Sequence, residues 1–313
     1  MELVKDIYEA NCITHSGTMH ADDIFSTAFL DLYLGNVKVF RTTNIPLDID
    51  KNVIIYDLGR GKFDHHQDDA LKRDNGITYC GFGLLWKEFG RDFLEKRNIE
   101  KVEEVFNAFD KDLIEAIDAD DNGVFPKIDA PYKVKTLSEV FKLFNPGYKS
   151  GQNENDQFKK AVSFAKAIIE EELLSVIGKV IAKEQVLKAL EKKENHALFL
   201  DEYMPYEQTV LQEESASDVY FAVYPSNRGG YGIKTIPISQ EDHTKRLDFP
   251  ASWAGLVDQE LENVSGIKGL RFCHATRFLA TCDTLETAKL VIEKTLNESN
   301  DCPQSENSLD NLI

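Results

Sequence analysis

Short apolar runs alternate with a helical pattern over the first sixty residues. ANCITHS (10–16), VKVFRTT (37–43) and NVIIYDLG (52–59) are largely aliphatic, and the helical stretch ADDIFSTAFLDLYL (21–34) lies between the first two. Strands alternating with helices at this spacing predict an α/β fold with a parallel sheet covered on both faces. Helices are predicted over 79–97 and 101–119, and one long or two abutting helices over 156–194. In the last, Phe158, Val162, Ala165, Ile168 and Ile169 keep helical spacing while Lys and Glu fill the opposite face. A second region begins near Asn195. VYFAVYPS (219–226) and YGIKTIPI (231–238), separated by NRGG, predict a hairpin. LRFCHATRFLAT (270–281) predicts one further strand, TLETAKLVIEKTL (284–296) a closing helix, and the polar remainder a frayed tail. The expected organisation is a parallel-sheet domain with its connector helix (1–194), a smaller α+β domain (195–297) and a tail (298–313).

Composition changes this picture little. With 313 residues, 42% of them hydrophobic, the chain can bury a sizeable core in each of two domains. No apolar run approaches a membrane span, and MELVKDIYEANC lacks the basic start and apolar stretch of a secretory signal. Five scattered cysteines form no CxxC pair, which points to a reducing cytoplasm. A net charge of −18 argues against gripping long duplex DNA through its phosphates. It leaves open a polyanion bound locally through divalent cations in a carboxylate-rich site.

Four segments place acids or imidazoles where an apolar element ends. THSGTMHADD (14–23) holds two histidines, two aspartates and a turn-permitting Gly17. In IIYDLG, Asp57 follows a buried-looking strand, and open α/β sheets build their sites at the carboxyl ends of parallel strands. In GKFDHHQDD (61–69) the adjacent histidines point to different sides of the backbone, and Asp64 can orient an imidazole by accepting its second N–H. Taken alone, such a pair is more ordinarily an exposed polar turn. The fourth, EAIDADDNG (115–123), has Asp118, Asp120, Asn122, Gly123 and Asp129 at EF-hand spacing, but Pro126 inside the loop and Asp at its twelfth position argue against calcium.

Taken together, His15-x4-His20-x-Asp22, Asp57, Asp64-His65-His66 and Asp118 resemble the DHH phosphoesterase superfamily. Within it, THSGTMHADD, YDLGRGKFDHHQ and IDADDNG are similar to the Myg family, named for a melanocyte-proliferating gene and reported to include RNA exonucleases. FPASWAGLVDQELENVSGIKG (249–269) and FCHATRF (272–278) resemble that family's closing segments. The resemblance implies a DHH-type domain and a site for two divalent ions, Mn²⁺ first, with Mg²⁺ or Zn²⁺ as alternatives. His15 and His20 would hold one ion; Asp22, His65 and Asp118 the other; and Asp57 would bridge them. His66 would face the scissile phosphate, while Asp23 and Asp64 would support the ligands. His20 stands where superfamily relatives usually carry aspartate, which makes Zn²⁺ more plausible. Arg60 replaces an expected glycine and is read as solvated.

In the second domain the resemblance implies that His274 and Arg277, near Arg271, bind phosphate or a terminal nucleotide; His274 reads equally well as a core histidine. Trp253 and Tyr231 are candidates for base stacking, though such residues more often belong to a core. Residues 225–277 carry seven Lys/Arg against six Asp/Glu, far less acidic than the chain as a whole. The leading expectation is a metal-dependent phosphodiesterase acting exonucleolytically on single-stranded RNA or short oligonucleotides through a two-metal activated water. A small-molecule phosphohydrolase acting on pyrophosphate, nucleoside bisphosphates or dinucleotides is the alternative. Homo-oligomerisation is left open.

Overall fold

The computed structural model describes residues 1–240, 242 and 244–300. The chain divides into two compact units, Met1–Ile177 and Gly178–Ile313, and the division falls inside one long helix. In chain order the first unit holds β1 (Glu2–Leu3), β2 (Cys12–His15), α1 (Ala21–Leu34), β3 (Lys38–Thr42), β4 (Ile54–Ile55), α2 (Gly81–Lys96), α3 (Val102–Phe109), α4 (Glu115–Asp121), α5 (Leu137–Phe141) and the start of α6 (Glu154–Leu190). The second unit takes the end of α6 and adds β5 (Ala197–Phe199), α7 (Glu207–Gln212), β6 (Phe221–Pro225), β7 (Tyr231–Thr235), α8 (Asp258–Ser265), β8 (Leu270–Cys273), β9 (Leu279–Cys282) and α9 (Leu285–Asn300).

The first sheet is wholly parallel, in the order β1-β3-β2-β4. Adjacent strands β2 and β4 therefore end side by side, and His15, the last residue of β2, comes together with Asp57, two residues beyond β4. β4 is shorter than its apolar run suggests because Asp57 adopts a left-handed φ of 52° and turns the chain away. Helix α1 is buried along its whole first three turns, from Ala21 to Asp31. It packs Phe25 and Phe29 against Phe82 and Trp86 of α2 and Phe141 of α5, with ring centroids 4.8–6.1 Å apart. A helix apolar on every side belongs in the middle of a core, and this one carries Asp22 and Asp23 in with it.

Two expectations are corrected. The helix expected over 101–119 is broken by a π-helical turn at Asp110–Ile114, which shifts the face presented by the residues after it. The strand expected over 270–281 is an antiparallel hairpin, β8 and β9, turning at His274–Phe278 where Arg277 has φ 57°. The second sheet is mixed, in the order β5-β6-β7-β9-β8, with the predicted β6–β7 hairpin at its centre. Trp253 is fully buried beside Phe249 in the core under this sheet, so it is no stacking platform. Helix α9 runs on to Asn300; the rest of the expected tail lies outside the described residues. Among the described residues no helix is long and apolar enough to cross a membrane.

Asp31, on the buried face of α1, meets the Met1 amino group at 2.8 Å and Lys166 Nζ of α6 at 2.6 Å. Burial alone would raise its carboxyl, but these cations hold it below the ordinary value. The stabilisation is therefore present above about pH 4, the ordinary aspartate value, and is lost as the pH falls through the lowered folded-state value. Asp31→Asn should cost about 1.5–3 kcal/mol at neutral pH. It should also flatten the acid limb of stability, as urea denaturation across a pH series will show.

Candidate metal centre

The loop after β2 turns at Gly17, whose φ of 97° suits glycine. It is pinned from three distant parts of the chain. Glu154 of α6 accepts from Gly17 N at 3.1 Å and from Arg41 Nη1 at 2.7 Å, while Arg41 Nη2 donates to Gly17 O at 3.1 Å. Asn145 accepts from Met19 N at 2.7 Å and donates to Met19 O at 2.9 Å. With both polar groups of Gly17 and of Met19 engaged, the loop delivers His15 and His20 with their rings 5.6 Å apart.

Three overlapping groups of ligand-capable atoms result: His15, His20 and Asp57; Asp57, Asp64, His65 and His66; and Asp22, His65 and Asp121. His15 Nδ1 lies 3.3 Å from Ser16 O, an acceptor, so Nδ1 carries a proton and Nε2 is the ring atom turned toward the carboxylates. That Nε2 stands 3.1 Å from Asp57 Oδ2 and 3.8 Å from Asp23 Oδ2. His65 Nε2 lies 3.1 Å from Asp121 Oδ2, and its Nδ1 lies 3.8 Å from Asp22 Oδ2. Asp64 accepts from Arg60 N at 2.5 Å and from His66 Nδ1 at 2.6 Å, which leaves Nε2 of the exposed His66 ring as its outward face. Arg60 contributes through this backbone bond, and its side chain is exposed.

The electrostatics of the centre call for a cation. Burial pushes Asp57 up to about 7, with the Asp22 charge adding to it, and pushes Asp23 up to about 7. Burial would lower His15 and His65, but their aspartate neighbours reverse this and pull each up to about 9. His20 is pushed down by burial, opposed by Asp121 and reinforced by His15 and Lys142. Nine buried side-chain polar atoms lack a hydrogen-bond partner among the described residues, and four of them converge here: His15 Nε2, Asp23 Oδ2, Asp57 Oδ2 and His65 Nδ1. Buried polar atoms are ordinarily satisfied. A mixed imidazole–carboxylate set with ring nitrogens and carboxylate oxygens turned inward fits a divalent metal ion, which would displace the imidazole protons on binding.

Asp118 was expected beside His65, and the structure brings Asp121 there instead. Asp118 accepts from Arg73 Nε at 3.0 Å and Nη2 at 2.6 Å, from Cys80 N at 3.0 Å and from Cys80 Sγ at 2.8 Å. Arg73 is in turn held by Asp110 of the π-helical turn. Asp118 and Asp120 lie within helix α4, which excludes an EF-hand loop. Asp22 accepts from Gly81 N at 2.8 Å and Phe82 N at 2.6 Å, so two buried carboxylates sit on the first turn of α2. Glycine is required for that approach: a Cβ on Gly83 would fall 2.4 Å from Asp118 Oδ2. Asp23 accepts from His20 N at 2.7 Å and so serves both the helix start and the centre. The segment CGFG at a helix start, where glycine is otherwise costly, is the sequence signal for this packing; Arg41, Asn145 and Glu154 offered none.

In the second unit, His274 Nδ1 accepts from Thr276 N at 3.1 Å and contacts Thr276 Oγ1 at 2.8 Å, so Nε2 carries the proton. Arg277 donates to Asp248 at 2.8 Å and to Phe249 O at 3.3 Å. Arg271 donates to Gly229 O at 2.6 Å and Cys282 O at 2.9 Å.

A parallel α/β unit with an imidazole–carboxylate centre at its strand ends defines the class. Residues 11–296 match the family model MYG1_exonuc, described as "Uncharacterised protein family (UPF0160)", and the chain belongs to that family. It is similar to the MYG1 protein of Dictyostelium discoideum, 28% identical with 91% of this chain and 96% of that protein covered. The MYG1 protein C694.04c of Schizosaccharomyces pombe is 28% identical over the same shares. The human MYG1 exonuclease is 23% identical, with 93% of this chain and 87% of that protein covered. No solved structure matches the chain.

Asp118→Asn and Asp121→Asn, three residues apart, should behave differently. The first leaves Arg73 short of a buried partner and should cost about 3–5 kcal/mol of stability. The second removes the partner of the part-buried His65 and should cost the metal-free protein less, about 1–3 kcal/mol, yet weaken Mn²⁺ binding at least about tenfold. Denaturation curves and isothermal titration on both variants check this.

Proposed function

We propose that this chain is a metal-dependent phosphodiesterase with a DHH-type catalytic unit, removing nucleotides from an end of single-stranded RNA or short oligonucleotides. The observation that carries the reading is the overlap of the three ligand groups: Asp57 belongs to two of them and His65 to two. His15, His20 and Asp57 would hold one ion and Asp22, His65 and Asp121 the other; these sets share no residue, but the third group joins them by containing Asp57 of the first and His65 of the second. The relatives named MYG1 exonuclease in human and mouse support the nuclease reading.

Bound there, two divalent ions would lower the pKa of a water and offset charge on the attacked phosphate. The chain's own residues do the rest. Asp57 meets His15 at 3.1 Å and belongs both to the group with His20 and to the group with Asp64, His65 and His66. Asp64 orients His66 so that its Nε2 points outward, where it can hold a phosphate oxygen. The ligand set of imidazoles and carboxylates favours Mn²⁺, with Mg²⁺ and Zn²⁺ as alternatives. Four described cysteines are free and buried, which accords with a reducing cytoplasm.

Purified protein with Mn²⁺ should shorten end-labelled single-stranded RNA, and EDTA should stop it. Asp57→Asn should lower turnover at least about a hundredfold, the upper end of what losing a supporting partner costs a metal site, with the fold retained by circular dichroism. Undiminished turnover by that variant after EDTA treatment would overturn the reading. Faster turnover of a dinucleotide than of a longer strand would instead favour a small-molecule phosphohydrolase.

A further inference from the structure

We infer that the loop between α4 and α5, residues 122–136, is a docking platform for the bases of a single-stranded nucleic acid leading into the metal centre. The inference rests on the phosphodiesterase reading above for the identity of the polymer, and on the loop's own surface for the contact. The loop leaves α4 directly after Asp121, the carboxylate that meets His65. Its two ends are fixed. Asn122 donates to Thr78 O at 3.0 Å and Asp118 O at 2.8 Å, and Val124 N donates to Ala119 O at 2.8 Å. At the far end Thr136 caps α5 and donates to Asp120 Oδ1 at 3.4 Å.

Between these anchors the loop exposes large apolar side chains that a soluble surface ordinarily hides. Phe125 is 61% exposed, Ile128 52% and Tyr132 72%. Together with Lys133 and Lys142 they line an open recess of about 480 Å³, within the size range of small-ligand sites. Charge selects the occupant. The recess itself balances Lys133 and Lys142 against Asp120 and Glu139, and the excess of positive charge lies in the loop, 122–136, which carries Lys127, Lys133 and Lys135 against Asp129 in a chain of net charge −18. The recess's own carboxylates are engaged: Asp120 accepts from Thr136, while Glu139 accepts from Thr136 N at 3.1 Å and pairs with Lys133 at 3.4 Å.

Exposed aromatic faces interleaved with lysines suit bases that are unstacked and a backbone that is anionic. A paired duplex offers neither free base face, and a small phosphate ester would use the lysines but not the rings. The platform therefore selects single strands and reads base faces without hydrogen-bond specificity.

Fluorescence anisotropy in EDTA, with a labelled short oligoadenylate and the full chain, tests this without requiring hydrolysis. Phe125→Ala/Tyr132→Ala should weaken binding by about tenfold or more, Tyr132→Trp should retain it, and an abasic strand of equal length should bind the native protein as weakly as the oligoadenylate binds the double variant. Equal affinity of the double variant and the native protein for the oligoadenylate, or no binding by the native protein, would overturn the platform. Mn²⁺-dependent shortening of end-labelled single-stranded RNA by the native protein separates the two readings. Its absence in the native protein would count against the phosphodiesterase, while the anisotropy result would still decide the platform.

Discussion

Asp22, Asp23, Asp57 and Asp118 are among the aspartates buried at one end of the first unit, and the local architecture follows from how each is compensated. Carboxylates taken out of water this close together repel one another and must find donors or cations. Asp22 and Asp118 take the backbone donors of the first turn of α2, which is why that turn reads Cys80-Gly81-Phe82-Gly83 with no side chain to block the approach. Asp118 takes Arg73 as well, and Asp23 takes the backbone of His20. Asp57 is left facing His15 with an oxygen that no hydrogen bond satisfies. His15 offsets part of that charge, and the same cluster of imidazoles and carboxylates can hold a metal cation that would offset more.

The division of labour around that centre is mechanical. Parallel strands β2 and β4 bring His15 and Asp57 side by side, but the precision of the ligand loop comes from Arg41, Asn145 and Glu154, none of which touches the ligand atoms. A loop whose backbone groups are engaged by β3, α6 and the chain after α5 loses little further entropy when a metal binds. The loop on the other side, 122–136, is tethered at its ends and left exposed between them, a form suited to a mobile polymer.

Periodicity alone made most of the elements legible. The alternation of apolar runs with ADDIFSTAFLDLYL predicts the parallel sheet and α1, and NRGG between two strands predicts the β6–β7 hairpin. The residues His15, His20, Asp22, Asp57, Asp64, His65 and His66 were legible as a constellation because each follows an apolar element, where strand ends converge. The β8–β9 turn was not: FCHATRF has no Pro or Gly, and its reversal relies on Arg277 holding a left-handed conformation that contacts to Asp248 and Phe249 support.

What the sequence by itself determined, then, is the kind of donors and the strand ends from which most of them come, since residue chemistry and two simple periods suffice for both. Which of Asp118 and Asp121 meets His65 was a tertiary decision. The π-helical turn at Asp110–Ile114 resets the helical phase ahead of both, and Arg73, recruited from a distant loop, claims Asp118. A one-dimensional pattern carries neither the phase change nor the competing cation, because both arise only when segments far apart in the chain are packed together.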